Sequence, residues 1–148
     1  MRALLRRVLV GTPQPIPARL LWPLVALTCL VVSTVGYAAG FVTVSGGVVW
    51  LPGFAAALGA GCAAVVGYCR GGVVAAWAVT VSSLLGYHVS RAVSGDTVGD
   101  RAAALLRPDA LGYFAVVAVL VMIVPFVLGS ALRRGVDSAR AAGGRPAE

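Results

Sequence analysis

LLWPLVALTCLVVSTVGYAAGFVTVSGGVVWLPGFAAALGAGCAAVVGYC, Leu20 to Cys69, runs for 50 positions without Asp, Glu, Lys, Arg or His. A helix of about 20 apolar residues crosses the hydrocarbon layer of a membrane, so this stretch holds chain enough for two passes. Lipid offers no water to unpaired amides and carbonyls, which restricts spanning structure to helices or closed barrels. We read helices, and the fold class is all-α.

The rest of the 148-residue chain agrees. It is 59% hydrophobic and 11% charged, with a mean hydropathy of +0.94, whereas soluble domains are about a quarter charged. Four apolar runs are long enough to cross: about 20–40, 48–69, 73–90 and 111–132. Ser45-Gly46-Gly47 divides the first two, with Pro52 in the first turn of the second helix, where backbone donors are free anyway. Arg70-Gly71-Gly72 divides the second from the third, and paired glycines allow a sharp reversal.

Counting cations on alternate sides of these spans orients the chain. Arg2, Arg6, Arg7, Arg19, Arg70, Arg133, Arg134, Arg140 and Arg145 fall on one side; Arg91, Arg101 and Arg107 fall on the other, where Asp96, Asp100 and Asp109 offset them. The positive-inside rule then predicts an up-down antiparallel bundle of four transmembrane helices with both termini cytoplasmic. Interfacial aromatics fit the same threading: Trp22, Tyr68 and Trp77 towards the inner boundary, Tyr37, Trp50, Tyr87 and Tyr113 towards the outer one.

Outside the span region 20–132, residues 1–19 read as a cytoplasmic amphipathic segment, with Leu4, Leu5, Val8 and Leu9 beside Arg2, Arg6 and Arg7, broken by the prolines of 12–17. The first apolar run is longer than a signal-peptide core, so it is expected to be retained. The outer loop 91–110 is expected to carry one short helix with Asp100 as N-cap and Pro108 as its stop. Residues 133–148 read as a disordered cytoplasmic tail.

Chemistry is sparse. A net charge of +7 is spread over the ends of apolar runs rather than clustered among aromatics, which argues against nucleic acid. Cys29, Cys62 and Cys69 are odd in number and form no C-x-x-C, so they read as packing residues, not as a disulfide framework. No nucleotide loop, metalloprotease helix or serine elbow is present, and no carboxylate lies in any of the four spans, as a small multidrug exporter would require. No cofactor is expected.

Two patterns remain. The second span is built of small residues at spacing four: Gly53, Ala57 and Gly61; Gly59, Ala63 and Gly67; Ala56, Ala60 and Ala64. Gly36 and Gly40 make a further G-x-x-x-G. Small faces let helices approach closely in lipid, where no hydrophobic drive separates helix from solvent. On the third span Ala76, Thr80, Ser83, Tyr87 and Ser90 share one stripe, read first as a packing seam and second as a polar pathway with the lone histidine His88 and with Arg91. The expected function is that of a non-enzymatic accessory or structural protein of a prokaryotic plasma membrane, partnered by the bilayer and by a second copy or another membrane protein. The alternative is a small transporter or channel subunit acting as an oligomer.

Overall fold

In the computed structural model, residues 8–9, 16–41, 52–93 and 97–143 are described, and among them all regular structure is helical. Five helices follow in order: α1 Ile16–Ala38, α2 Gly53–Tyr68, α3 Val73–Val93, α4 Val98–Leu105 and α5 Pro108–Gly143. Three are long and apolar enough to cross a membrane: α1 over Leu20–Ala38, α3 over Val73–Val93 and α5 over Pro108–Ala141. The apolar α2 has 16 residues, about 24 Å at 1.5 Å per residue. Its expected start at Val48 lies outside the described residues, as do 1–7 and 10–15 of the N-terminal segment; 16–19, expected to belong to that segment, instead form the first turn of α1.

The helices end where local chemistry ends them. Gly40, at φ 71°, follows the last turn of α1, its amide donating to the Tyr37 carbonyl at 3.2 Å. Here glycine supplies the left-handed backbone that a helix terminus favours. Arg70 takes the same conformation after α2 at φ 59°. Its amide donates to the Gly67 carbonyl at 3.3 Å and that of Gly71 to the Val66 carbonyl at 2.8 Å, the paired bonds of a Schellman cap.

Three boundaries in the second half of the chain differ from expectation. The N-cap of α4 is Thr97, not Asp100: the Thr97 hydroxyl accepts from the Asp100 amide at 3.1 Å and donates to its carboxylate at 2.6 Å. Thr at the cap with an acid three residues on satisfies both ends of the pairing, which Asp100 as the cap would leave unmade. Pro108 opens α5 instead of merely stopping α4, since a first-turn proline loses no hydrogen bond. The third difference is larger. The helix passes through Pro125 and continues to Gly143, so 133–143 is helix rather than disordered tail; 144–148 lie outside the described residues. Extending an existing helix needs no new nucleus, and alanine and arginine are strong helix formers. The Arg133–Asp137 pair at spacing four adds its support.

Packing does not follow chain order. The broadest interfaces are α1 with α3 and α2 with α5, α1 barely touches α2, and α3 contacts every other helix. Trp22 of α1 lies beside Gly71, Ser33 beside Gly86 and Tyr37 beside Tyr87. Two apolar clusters fill the interior. One joins Ala55, Ala56, Leu84, Phe114 and Ala118; the other joins Ala63, Val66, Ala76 and Met122.

The tightest approach is between α2 and α5. A β-carbon at Gly129 would collide with the Ala64 carbonyl, and one at Gly67 with the Phe126 carbonyl. These neighbours are backbone and cannot swing aside. Gly129→Ala is therefore expected to destabilise by about 1–3 kcal/mol through overpacking. Gly112→Ala, which meets only open space, should instead gain about 0.5 kcal/mol of helix propensity. Unfolding of both variants in mixed micelles by denaturing detergent measures the two opposite signs.

Candidate functional site

The polar stripe of α3 faces α2. Thr80 and Ser83 are fully buried. The Thr80 hydroxyl donates to the Gly59 carbonyl at 3.3 Å and to the Ala76 carbonyl at 2.9 Å, and the Ser83 hydroxyl to the Ala55 carbonyl at 2.7 Å. Ser90 donates to the Tyr87 carbonyl at 2.7 Å within its own helix. Contacts of this kind between membrane helices are worth about 0.6 kcal/mol each. A β-carbon at Gly59 would come within 3.0 Å of the Thr80 methyl, so the glycine is what brings the two helices within reach of the hydroxyl.

Around the first turn of α2, three helices meet. The Ala55 amide, one of the donors a helix start leaves unpaired, donates to the Tyr37 hydroxyl at 3.3 Å. Tyr37 also packs edge-on against Tyr87 at 5.0 Å and Phe54 at 6.2 Å between centroids. His88 faces α5, half-buried, its ring 5.8 Å from that of Phe114. Its Nε2 is buried with no hydrogen-bond partner, as is the Ser33 hydroxyl oxygen. Arg91 is exposed in the last turn of α3. Thus Thr80, Ser83 and Tyr87 are gathered on the inward seam, while His88 and Arg91 stand apart from it.

The small faces of α2 divide in two. Gly59, Ala63 and Gly67 are buried against α3 and α5, whereas Gly53, Ala57 and Gly61 face outward, with open space around both glycines. Gly36 is half-buried in α1, and Gly40 lies beyond the end of that helix with nothing near its Cα hydrogens. Gly40 thus acts as a terminator.

A juxtaposition that sequence spacing could not announce joins α1 to α2: Cys29 Sγ lies 3.5 Å from Cys62 Sγ. The two are not joined by a disulfide; Cys29 is buried and Cys62 half-buried, while Cys69 is exposed. The pair is close enough for a thiol hydrogen bond. It stands at one of the few points where α1 meets α2.

At the opposite end from Tyr37, α2 finishes beside α5 in a charged cluster. Arg70 Nη2 is 2.7 Å from Asp137 Oδ2, and Arg133 Nε is 3.1 Å from Asp137 Oδ1. The Arg133 guanidinium also sits over the Tyr68 ring, 5.4 Å from its centroid. Asp137 stands beyond the uncharged stretch that ends at Leu132. The Arg70 guanidinium, then that of Arg133, holds its carboxyl below the usual carboxylate range. Arg70 pays about 1 kcal/mol for its left-handed backbone. The helical spacing of Arg133 and Asp137 was visible in the sequence; the partnership of Arg70, 67 positions away, was not. At the far end Arg107 pairs with Asp109 at 2.7 Å, both exposed.

Among the described residues no three His, Cys, Asp or Glu side chains come together as a metal site. Three spanning-length apolar helices joined by small residues and hydroxyl–carbonyl bonds are the marks of a helical membrane protein. No family model, curated protein or solved structure matches the chain.

Mild oxidation of the purified protein is expected to join Cys29 and Cys62 within one chain, seen as a linked peptide pair by mass spectrometry. Cys29→Ser should abolish that product while Cys69→Ser leaves it intact.

Proposed function

We propose that the chain is a four-span, up-down protein of a prokaryotic plasma membrane, both termini cytoplasmic, serving as a non-enzymatic accessory partner to another membrane protein or to a second copy of itself. The observation that carries this reading is the outward face of α2. Gly53, Ala57 and Gly61 repeat the chemistry and spacing that Gly59, Ala63 and Gly67 use inside the bundle. Small faces of this kind associate through close van der Waals packing, the main source of affinity between helices in lipid.

The threading draws support from contact order. Trp22–Gly71, Ser33–Gly86 and Tyr37–Tyr87 align α1 with α3 in the same direction. Ala64–Gly129 and Arg70–Asp137 do the same for α2 and α5. Arg70, Arg133 and Arg134 share the end assigned to the cytoplasm. The second reading, a transport or channel subunit, draws on the unpartnered buried Nε2 of His88, since an unsatisfied polar group in a span is costly and tends to serve a purpose.

Three measurements separate these readings. Gly61→Leu should abolish a complex recovered from native membranes in mild detergent while leaving the unfolding curve of the chain unchanged; a complex that survives removes the partner face. Reporters fused after Glu148 and inserted at Gly99 should read opposite sides of the membrane, and an external C-terminus overturns the threading. In liposomes, a solute flux that His88→Ala reduces to background would favour the transport reading over the accessory one.

A further inference from the structure

We propose that the cleft between the end of α2 and the Phe126–Asp137 part of α5 binds the phosphate headgroup of an anionic membrane phospholipid. The cleft measures about 710 Å³, and its lining changes character from Phe126 and Val127 to Arg70, Arg133 and Arg134. That volume falls within the range of about 300–1,000 Å³ typical of small-molecule sites. Three guanidiniums face one carboxylate, Asp137, so the rim keeps a net positive charge.

The cations are held in place before any ligand arrives. Asp137 ties Arg70 at 2.7 Å and Arg133 at 3.1 Å, and the Tyr68 ring backs Arg133. The Asp137 contacts engage one Nη of Arg70 and the Nε of Arg133, leaving the other guanidinium donors to a ligand. Arg134 is exposed and has no ion pair among the described residues. Guanidinium forks match phosphate oxygens in pairs, and side chains already ordered lose less freedom on binding. Arg70 is the most telling member. It occupies a left-handed position that glycine would fill without strain, although two glycines follow it directly. Residues kept in strained backbone at a cleft often serve a ligand.

Charge selects an anion, and position selects a lipid. Arg133 and Arg134 come directly after Leu132, the last residue of the uncharged part of α5, so the rim lies at the depth of the phosphates. Val127, on the apolar side, is 57% exposed, which gives an acyl chain a surface to lie along. The inference does not depend on the partner face of α2 or on which leaflet the rim meets.

The test uses the full chain in nanodiscs of phosphatidylcholine mixed with phosphatidylglycerol, with retained lipid counted by native mass spectrometry. At about fivefold per cation near an anionic surface, a net charge of two predicts about a 30-fold preference for phosphatidylglycerol. The double variant Arg133→Gln with Arg134→Gln should lose that preference, and Asp137→Asn should raise it about fivefold. Arg70→Gly should lower it about fivefold while the unfolding temperature stays level or rises. Equal retention of the two lipids overturns the proposal. So does a fall in unfolding temperature that tracks lipid loss across all the variants, which makes the cluster structural. Displacement of the lipid by inorganic phosphate at matched concentration assigns the cleft to a free anion and also overturns it.

Discussion

The approach of α2 to α5 at Ala64, Gly67, Phe126 and Gly129 is the constraint on which the bundle rests. In lipid an apolar side chain gains little by leaving its surroundings for another helix, so the energy of association must come from contact distance and from polar bonds. Glycine at 67 and 129 lets the backbones meet with no side chain between them. Ser130, next to Gly129, directs its hydroxyl to the Gly67 carbonyl at 3.4 Å. The Arg70–Asp137 pair closes the same interface beyond its apolar end. Moving α5 outward by the thickness of a methyl group would loosen each of these together.

The second organising feature is α3, which is a hub because it is two-sided. Towards α2 it presents Thr80 and Ser83, whose hydroxyls find carbonyls. Towards α1 it presents Gly86, where a β-carbon would strike Ser33. The Trp77 indole reaches α5, donating to the Ala115 carbonyl at 3.1 Å. Trp77, Thr80 and Ser83 thus bond backbone carbonyls of neighbouring helices, and Gly86 sits where α1 comes near.

Much of this frame was legible from hydropathy alone, because a span must be apolar along its whole length. The expected runs 73–90 and 111–132 correspond to α3 and to the body of α5, and 20–40 to α1. What hydropathy could not resolve was direction around a helix. The stripes Gly53-Ala57-Gly61 and Gly59-Ala63-Gly67 have identical spacing, and only the positions of Thr80 and Phe126 decide which of them is inside. The same holds for Cys29 and Cys62, which read as isolated thiols until the helices that carry them are placed. The extension of α5 was missed for a different reason. Charge after Leu132 marks the end of a membrane span, but it says nothing about the end of a helix, since arginine and alanine favour helix in water as well.

That extension has a mechanical consequence. With 36 residues, α5 is about 54 Å long, well over the about 30 Å of hydrocarbon it crosses. The one internal residue that lacks an amide donor, Pro125, lies two turns short of Arg133, inside the apolar part. Nothing in the hydrogen-bond ladder interrupts the helix at the water boundary. A load applied to the protruding segment would therefore act on the bundle as a lever, and the first contact with α2 to feel it would be the Arg70–Asp137 pair, ahead of the glycine contact.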